Sequence, residues 1–75
     1  MSSEKVLFGQ RLRQLRQAKG WSQEELSVQA KLDRTYVGGV ERGERNLSLT
    51  NICRLAETLG VHPSTLFDWQ GIDVE

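Results

Sequence analysis

The stretch SQEELSVQAKLDRTYVGGVER, from Ser22 to Arg42, carries the start signals of two short helices. The hydroxyl of Ser22 can accept from the amide of Glu25, while the Glu25 carboxylate can reach back to the amide of Ser22, which makes a capping box. Asp33 can cap a second helix, eleven residues after the first cap. This spacing leaves room for about two helical turns and a bend, so the stretch predicts a helix-turn-helix.

Both helices of this motif have an apolar face that is expected to enter one core. The residues of that face are Leu26, Ala30, Leu32, Val37 and Val40. The opposite face of the second helix is then free, and it carries Arg34, Thr35, Gly38, Gly39 and Arg42. Because the second helix of such a motif usually lies in a DNA major groove, we predict that this free face meets DNA.

Three more helical patterns flank the motif. An apolar repeat around Phe8 ends at Gly20, another runs from about Ser48 to Gly60, and Pro63 suits the first position of a short fifth helix. No sustained period-two alternation indicates a strand. The sequence therefore predicts an all-α fold of five short helices.

The chain has the length of one small domain. We expect a single domain over residues 1–75, with the helix-turn-helix at about 22–42 and short flexible ends at about 1–4 and 71–75. Cys53 is the only cysteine and His62 the only histidine, which excludes an internal disulfide and a zinc site of the usual kind. We expect Cys53 to behave as a small hydrophobe within the fourth helix.

The sequence indicates neither an enzyme nor a membrane protein. No serine or cysteine has a credible base and orienting acid, and no glycine-rich loop is suited to phosphate. Neither a secretory signal nor an apolar run long enough for a bilayer is present. We therefore expect a cytoplasmic protein that uses no metal and no cofactor.

The net charge of zero conceals an uneven distribution. Residues 1–45 hold nine Lys/Arg against six Asp/Glu, whereas residues 46–75 hold one against four. A positive helix-turn-helix half is suited to DNA phosphates, and the acidic remainder would point away from them. A chance partition of a charged surface remains the alternative on charge alone.

The chain from Leu12 to Leu66 resembles the Cro and lambda-repressor type of helix-turn-helix domain, through LRQLRQAKGWSQEELSVQA, VERG and NICRLAETLGV. Its segment DRTYVGGVERGERNLSL is similar to that of restriction-modification controller proteins, which share DRTY, ERG and RN at this spacing. The resemblance implies a homodimeric transcription regulator that binds a palindromic operator at its own and a neighbouring promoter, with RNA polymerase as a candidate partner. A repressor of other genes and an antitoxin or other interaction module are the alternatives.

The resemblance also assigns DNA contacts. It makes Arg34, Thr35 and Tyr36 the leading contacts and adds Arg45 and Asn46 from the following loop. It also implies that Gln23 contacts a DNA phosphate. A guanidinium can donate two hydrogen bonds to one guanine, so base recognition is expected mainly from Arg34 and Arg45. The alternatives are that Arg34 pairs with a glutamate across the turn, that the tyrosine packs in the core, and that the loop residues are merely solvated.

The resemblance further implies a partly buried ion pair between Arg16 and Glu41, which would tie the first helix to the recognition helix. Two departures from the family pattern stand out. Gly38 and Gly39 cannot read bases, and we expect them to let the helix backbone approach the groove closely. Lys31 replaces the glycine common in the turn, so it must adopt a positive φ or reshape the turn.

The last helical segment is the predicted dimer interface. Leu66, Phe67 and Trp69 crowd a segment that is too short to bury all three within one subunit. A small repressor also needs a second copy to read a palindrome. The alternative is that the first two complete the monomer core and the tryptophan lies on the surface.

Overall fold

The computed structural model describes residues 3–70, which form four α-helices and one 3₁₀ helix. These are α1 (Glu4–Ala18), α2 (Gln23–Ala30), α3 (Arg34–Glu41), α4 (Leu49–Leu59) and a 3₁₀ helix (Pro63–Phe67). The all-α prediction is confirmed for these residues. None of their helices has both the length and the apolarity that crossing a membrane requires.

The fifth element is a 3₁₀ helix, so the described residues form four α-helices where five short helices were predicted. Its amides bond three residues back, from Thr65 to the carbonyl of His62 and from Asp68 to that of Thr65. The segment is only five residues long and leaves helical geometry at Asp68, where ψ is 77°. The segment therefore ends before the hydrogen bonds of an α-helix, from each amide to the carbonyl four residues back, can form a series.

Side-chain caps fix where the helices begin. Ser3, Ser22, Asp33, Ser48 and His62 have extended backbones and accept an amide of the first helical turn. The capping box at Ser22 is half formed, since its hydroxyl accepts from the amide of Glu25 at 3.0 Å but the Glu25 carboxylate accepts from Gln29 instead. The caps explain why four of the five starts were visible in the sequence.

Two residues of the predicted flexible ends, Ser3 and Glu4, lie within the described part of the chain. Ser3 and Glu4 belong to the start of α1, where the serine hydroxyl accepts from the amide of Val6 at 3.2 Å. The rest of these predicted ends, residues 1–2 and 71–75, lies outside the described residues.

The core lies between the helix-turn-helix and the outer helices. Its largest fully buried side chains are Leu12, Leu26, Val37, Val40, Leu55 and Leu66. The predicted role of Cys53 in that core is wrong, because its side chain is exposed on α4. The buried face of α4 is formed by Leu55, Ala56 and Leu59, and the thiol points away from it.

Helix α1 packs directly on the end of α3. A Cβ atom on Gly9 would lie 2.4 Å from the carbonyl oxygen of Val40 and 2.6 Å from that of Glu41. On another side of α1, the Arg11 guanidinium donates to the carbonyl of Thr65 at 2.9 Å and so holds the 3₁₀ helix. The first contact fixes α3 relative to α1, and the second fixes the 3₁₀ helix relative to α1.

The turn between α2 and α3 depends on a left-handed lysine. Lys31 has φ 59° and ψ 44°, and it is the one non-glycine residue with positive φ in the described part of the chain. Of the two alternatives that the sequence left open, a positive φ or a reshaped turn, the structure has the positive φ. This conformation costs an ordinary residue about 1–2 kcal/mol, and it orients α3 relative to α2.

Replacing Lys31 with glycine is expected to raise the free energy of unfolding by about 0.5–1 kcal/mol, because the relief of backbone strain exceeds the added entropy of the unfolded chain. Urea denaturation measures the change. Lys31→Ala is the matched control, since it removes the charge and keeps the strain. An unchanged or lowered midpoint for Lys31→Gly would show that the turn stores no strain.

Candidate nucleic-acid interface

The beginning of α3 is exposed and open to a ligand. Asp33 caps the helix by accepting the amide of Thr35 at 2.8 Å, which leaves the side chains of Arg34 and Thr35 at the surface. The pair that Arg34 was alternatively expected to form with Glu24 or Glu25 is not among the ion pairs within residues 3–70. Its guanidinium is therefore available to grip a base or a phosphate.

Tyr36 packs as the alternative expected, with its ring on the core; its contact with DNA stays a prediction. The ring is half-buried and packs against the core, while the hydroxyl accepts from the Asn51 side-chain amide at 3.2 Å. The guanidinium carbon of Arg45 lies 5.7 Å from the ring centroid. Tyr36 thus links α3, α4 and the loop that follows α3, and Asn51 is a support that no sequence signal had indicated.

The two glycines of α3 are buried, although the apolar pattern placed them on the free face of the helix. An ideal Cβ on Gly38 would lie 3.1 Å from a guanidinium nitrogen of Arg42 and 3.3 Å from the side-chain oxygen of Gln23. An ideal Cβ on Gly39 would lie 2.9 Å from Cγ of Arg45. Long polar side chains from outside the middle of the helix therefore cover its backbone.

The predicted ion pair between Arg16 and Glu41 is present. Arg16 donates from Nε to Glu41 Oε2 at 2.7 Å and from Nη2 to Oε1 at 3.0 Å, with the two side chains 10% and 3% exposed. The hydrogen bond to Glu41 raises the pKa of Arg16 despite the opposing effect of burial, and the carboxylate charge acts in the same direction. The bidentate geometry joins α1 rigidly to the end of α3.

The same carboxylate also holds α2. Gln23 Nε2 donates to Glu41 Oε1 at 3.0 Å, and Arg16 donates to the carbonyl of Trp21 at 2.7 Å. Gln23, expected to meet a phosphate, therefore uses one of its two amide protons within the protein and keeps the other donor. Glu41 is the point at which the first three helices are tied together.

The loop after α3 carries the remaining candidate contacts. Arg45 and Asn46 are exposed, and Arg42 forms an exposed ion pair with Glu44 at 3.2 Å. Such a surface pair contributes little to stability and is easily exchanged for a phosphate. Arg34, Thr35, Arg42 and Arg45 are therefore all exposed on α3 or just after it, and Arg45 lies over the ring of Tyr36.

The predicted dimer residues lie in different environments. Leu66 is 0% exposed and serves the monomer core, so in this conformation it offers no surface to a partner. Phe67 is 47% exposed, and its ring packs edge-on against Phe8 and Trp69 at centroid distances of 5.4 Å and 5.7 Å. These rings border a shallow cavity of about 130 Å³ that Leu47 and Ile52 also line.

Comparison with known proteins gives a consistent result. A family model described as "Helix-turn-helix" matches residues 12–66. The crystal structure of the restriction-modification controller protein C.AhdI from Aeromonas hydrophila is 59% identical, with a TM-score of 0.85 and coverage of 88% of this chain and 100% of that one. The control protein C.BamHI of Bacillus amyloliquefaciens is 46% identical over 69 residues, 91% of this chain and 85% of that protein.

A complex with DNA is also among the similar structures. The biofilm regulator SinR, solved in complex with DNA, is 34% identical, with a TM-score of 0.77 and coverage of 81% of this chain and 98% of that one. The residues of this chain that match the family include the whole of α2 and α3.

Proposed function

We propose, from the premise that this chain belongs to the helix-turn-helix family, that it is a sequence-specific transcription regulator of the restriction-modification controller type. The observation that carries the proposal is the start of α3, where Arg34 and Thr35 are exposed on a helix that the Glu41 network holds in place. The relatives C.AhdI and C.BamHI are named as controller or control proteins. Their likeness to this chain along most of its length supports the same role.

In the proposed complex, α3 lies in the major groove with its N-terminal end toward the bases. Arg34 grips O6 and N7 of a guanine, and Thr35 contacts a thymine methyl or a phosphate. Gln23 at the start of α2 and Arg42 contact the backbone, which fixes the register of the protein on the duplex. Asn46 in the loop adds a further polar contact.

Replacing Arg34 with alanine is expected to weaken binding to the preferred operator by about 1–3 kcal/mol, or roughly fivefold to 150-fold. The loss should fall on one base position of each half-site, because a bidentate contact discriminates among bases. Selection of wild type and variant from a random oligonucleotide pool measures both affinity and preference.

Arg54→Ala is the matched control for that experiment, because Arg54 is an exposed arginine on α4 and not on α3. Its loss should be small and equal for all sequences. If Arg34→Ala lost affinity equally for every sequence, the residue would be a phosphate contact and the assignment of base reading would be wrong.

We also propose that the regulator acts as a homodimer through the surface around Phe67 and Trp69. Phe67 is an exposed aromatic side chain beside an apolar cavity, and one small domain gains affinity when a second half-site contact is linked to the first. A two-fold dimer places its half-sites roughly 34 Å apart. Leu66 contributes indirectly, by anchoring this segment in the core.

Replacing Phe67 with serine is expected to raise the dimer dissociation constant about tenfold, since truncating an aromatic interface residue commonly costs more than 1 kcal/mol. Sedimentation equilibrium measures it. Val28→Ser is the control, because Val28 is 64% exposed on α2 and outside this surface. A wild-type protein that stays monomeric at tens of micromolar, even with operator DNA, would contradict the dimer.

A further inference from the structure

The middle of α3 is covered by an arginine that the helix itself does not contain. Outside the backbone of the helix, the atoms nearest to an ideal Cβ on Gly39 are all from Arg45: Cγ at 2.9 Å, Nε at 3.1 Å and Cδ at 3.6 Å. Real Cβ atoms do not approach other carbons this closely. Any side chain at position 39 would therefore move Arg45 away from its present place.

The far end of Arg45 is held at a second point. Its guanidinium lies over the ring of Tyr36, with 5.7 Å between the guanidinium carbon and the ring centroid, a distance at which cation and ring attract each other. The ring is itself fixed, because Tyr36 packs on the core and accepts a hydrogen bond from Asn51. Arg45 thus runs back from the loop across Gly39 to Tyr36.

The backbone gives no reason for a glycine at position 39. The described glycines with positive φ are Gly20, Gly43 and Gly60, so Gly39 has a conformation that any residue adopts. No backbone of another element lies among its nearest neighbours. Because glycine weakens a helix interior relative to alanine, the helix alone would favour alanine here.

We propose that Gly39 is a positioning residue for Arg45. Because Gly39 has no side chain, it leaves a space, here called the seat, in which the aliphatic part of Arg45 lies across α3. This placement puts the Arg45 guanidinium on the side of α3 that faces the DNA groove. A loop residue can then contact bases at a point where the helix has no side chain of its own. This inference rests on the proposed DNA-binding function. It replaces the expectation that the glycine serves a close approach of the helix backbone to DNA.

The seat can be tested first in the free protein. Two-dimensional NMR of the wild type is expected to show Arg45 δ and ε proton shifts displaced by the Tyr36 ring, and the displacement should vanish in Gly39→Ala. The melting temperature of Gly39→Ala should rise by roughly 4 °C, because the helix gains alanine and only a flexible side chain must move. Unaltered Arg45 shifts in Gly39→Ala would overturn the proposal without bearing on DNA binding.

A double-mutant cycle tests the effect on DNA. Gly39→Ala and Arg45→Ala are each expected to lower operator affinity about tenfold and to lose preference at the same base position. In the double variant the two losses should not add, since the alanine can act only through an arginine that is no longer there. Additive losses would mean that the added methyl group meets DNA directly, and they would overturn the seat.

Gly38→Ala is the matched control for base preference. Its Cβ would meet Arg42 and Gln23 but no atom of Arg45 within 4 Å, so the preference at the Arg45 position should persist whatever happens to total affinity. Loss of that same preference in Gly38→Ala would overturn the specific role of Gly39. If the wild type itself showed no sequence preference, the proposed function would fail, and the NMR result would still decide whether the seat exists.

Discussion

Replacing Glu41 with alanine is expected to lower the free energy of unfolding by about 3 kcal/mol. The carboxylate accepts two hydrogen bonds from Arg16 and one from Gln23, and all three would be lost together. Arg16, which is 8% exposed, would keep its bond to the carbonyl of Trp21 but no counterion. The uncompensated buried charge of Arg16 dominates this loss of stability. Because the Arg16 side chain is 10% exposed, the expected loss lies at the lower end of the range that is usual for breaking a buried ion pair.

Urea denaturation of Glu41→Ala and Glu44→Ala measures this difference. Glu44 belongs to the exposed ion pair with Arg42, so its loss should change stability by less than about 1 kcal/mol. A double change of Arg16→Met with Glu41→Leu should recover much of the loss, because paired apolar residues leave no charge to solvate. Equal, small effects of the two glutamate variants would contradict a structural role for the buried pair.

Replacing Gly9 with alanine is expected to cost about 2–3 kcal/mol of stability. The new methyl group would lie 2.4 Å from the carbonyl oxygen of Val40 and 2.6 Å from that of Glu41. Both neighbours are backbone atoms of α3, so the clash can be relieved only by separating two helices. The gain of up to about 1 kcal/mol from alanine in a helix does not offset this.

Gly39→Ala is the matched control for Gly9→Ala, since the same substitution in another helix meets side-chain atoms only. Thermal unfolding followed by circular dichroism should give melting temperatures that move in opposite directions for the two variants. A Gly9→Ala protein as stable as the wild type would show that α1 and α3 can move apart at little cost.

Much of the local structure could be predicted from the sequence because it depends on neighbouring residues. The caps at Ser22, Asp33 and Ser48 are local hydrogen bonds. The apolar spacing also marked four buried residues of the helix-turn-helix, which are Leu26, Ala30, Val37 and Val40. Lys31 was singled out through the family resemblance, because it replaces the glycine common in the turn, and its φ is positive. Local rules failed at Cys53, since membership of an apolar-looking helix does not say which face is buried.

The features that the sequence could not supply join residues far apart in the chain. The support of Tyr36 by Asn51 spans 15 positions, and the contact of Gly9 with the end of α3 spans more. The covering of Gly39 by Arg45 depends on how the loop after α3 turns back, for which no periodic signal exists. The Arg16–Glu41 pair was foreseen only through a family resemblance, because 25 residues separate its members.

Helix α3 and the loop that follows it are proposed to recognise a particular DNA sequence. The most direct measurement is a fluorescence titration of the wild-type protein with its selected operator and with a scrambled duplex of the same composition, at two salt concentrations. We expect the operator to bind at least about 10³-fold more tightly, with both affinities falling steeply as salt rises. Equal affinity for the two duplexes, or affinity that salt leaves unchanged, would contradict sequence-specific recognition by this helix.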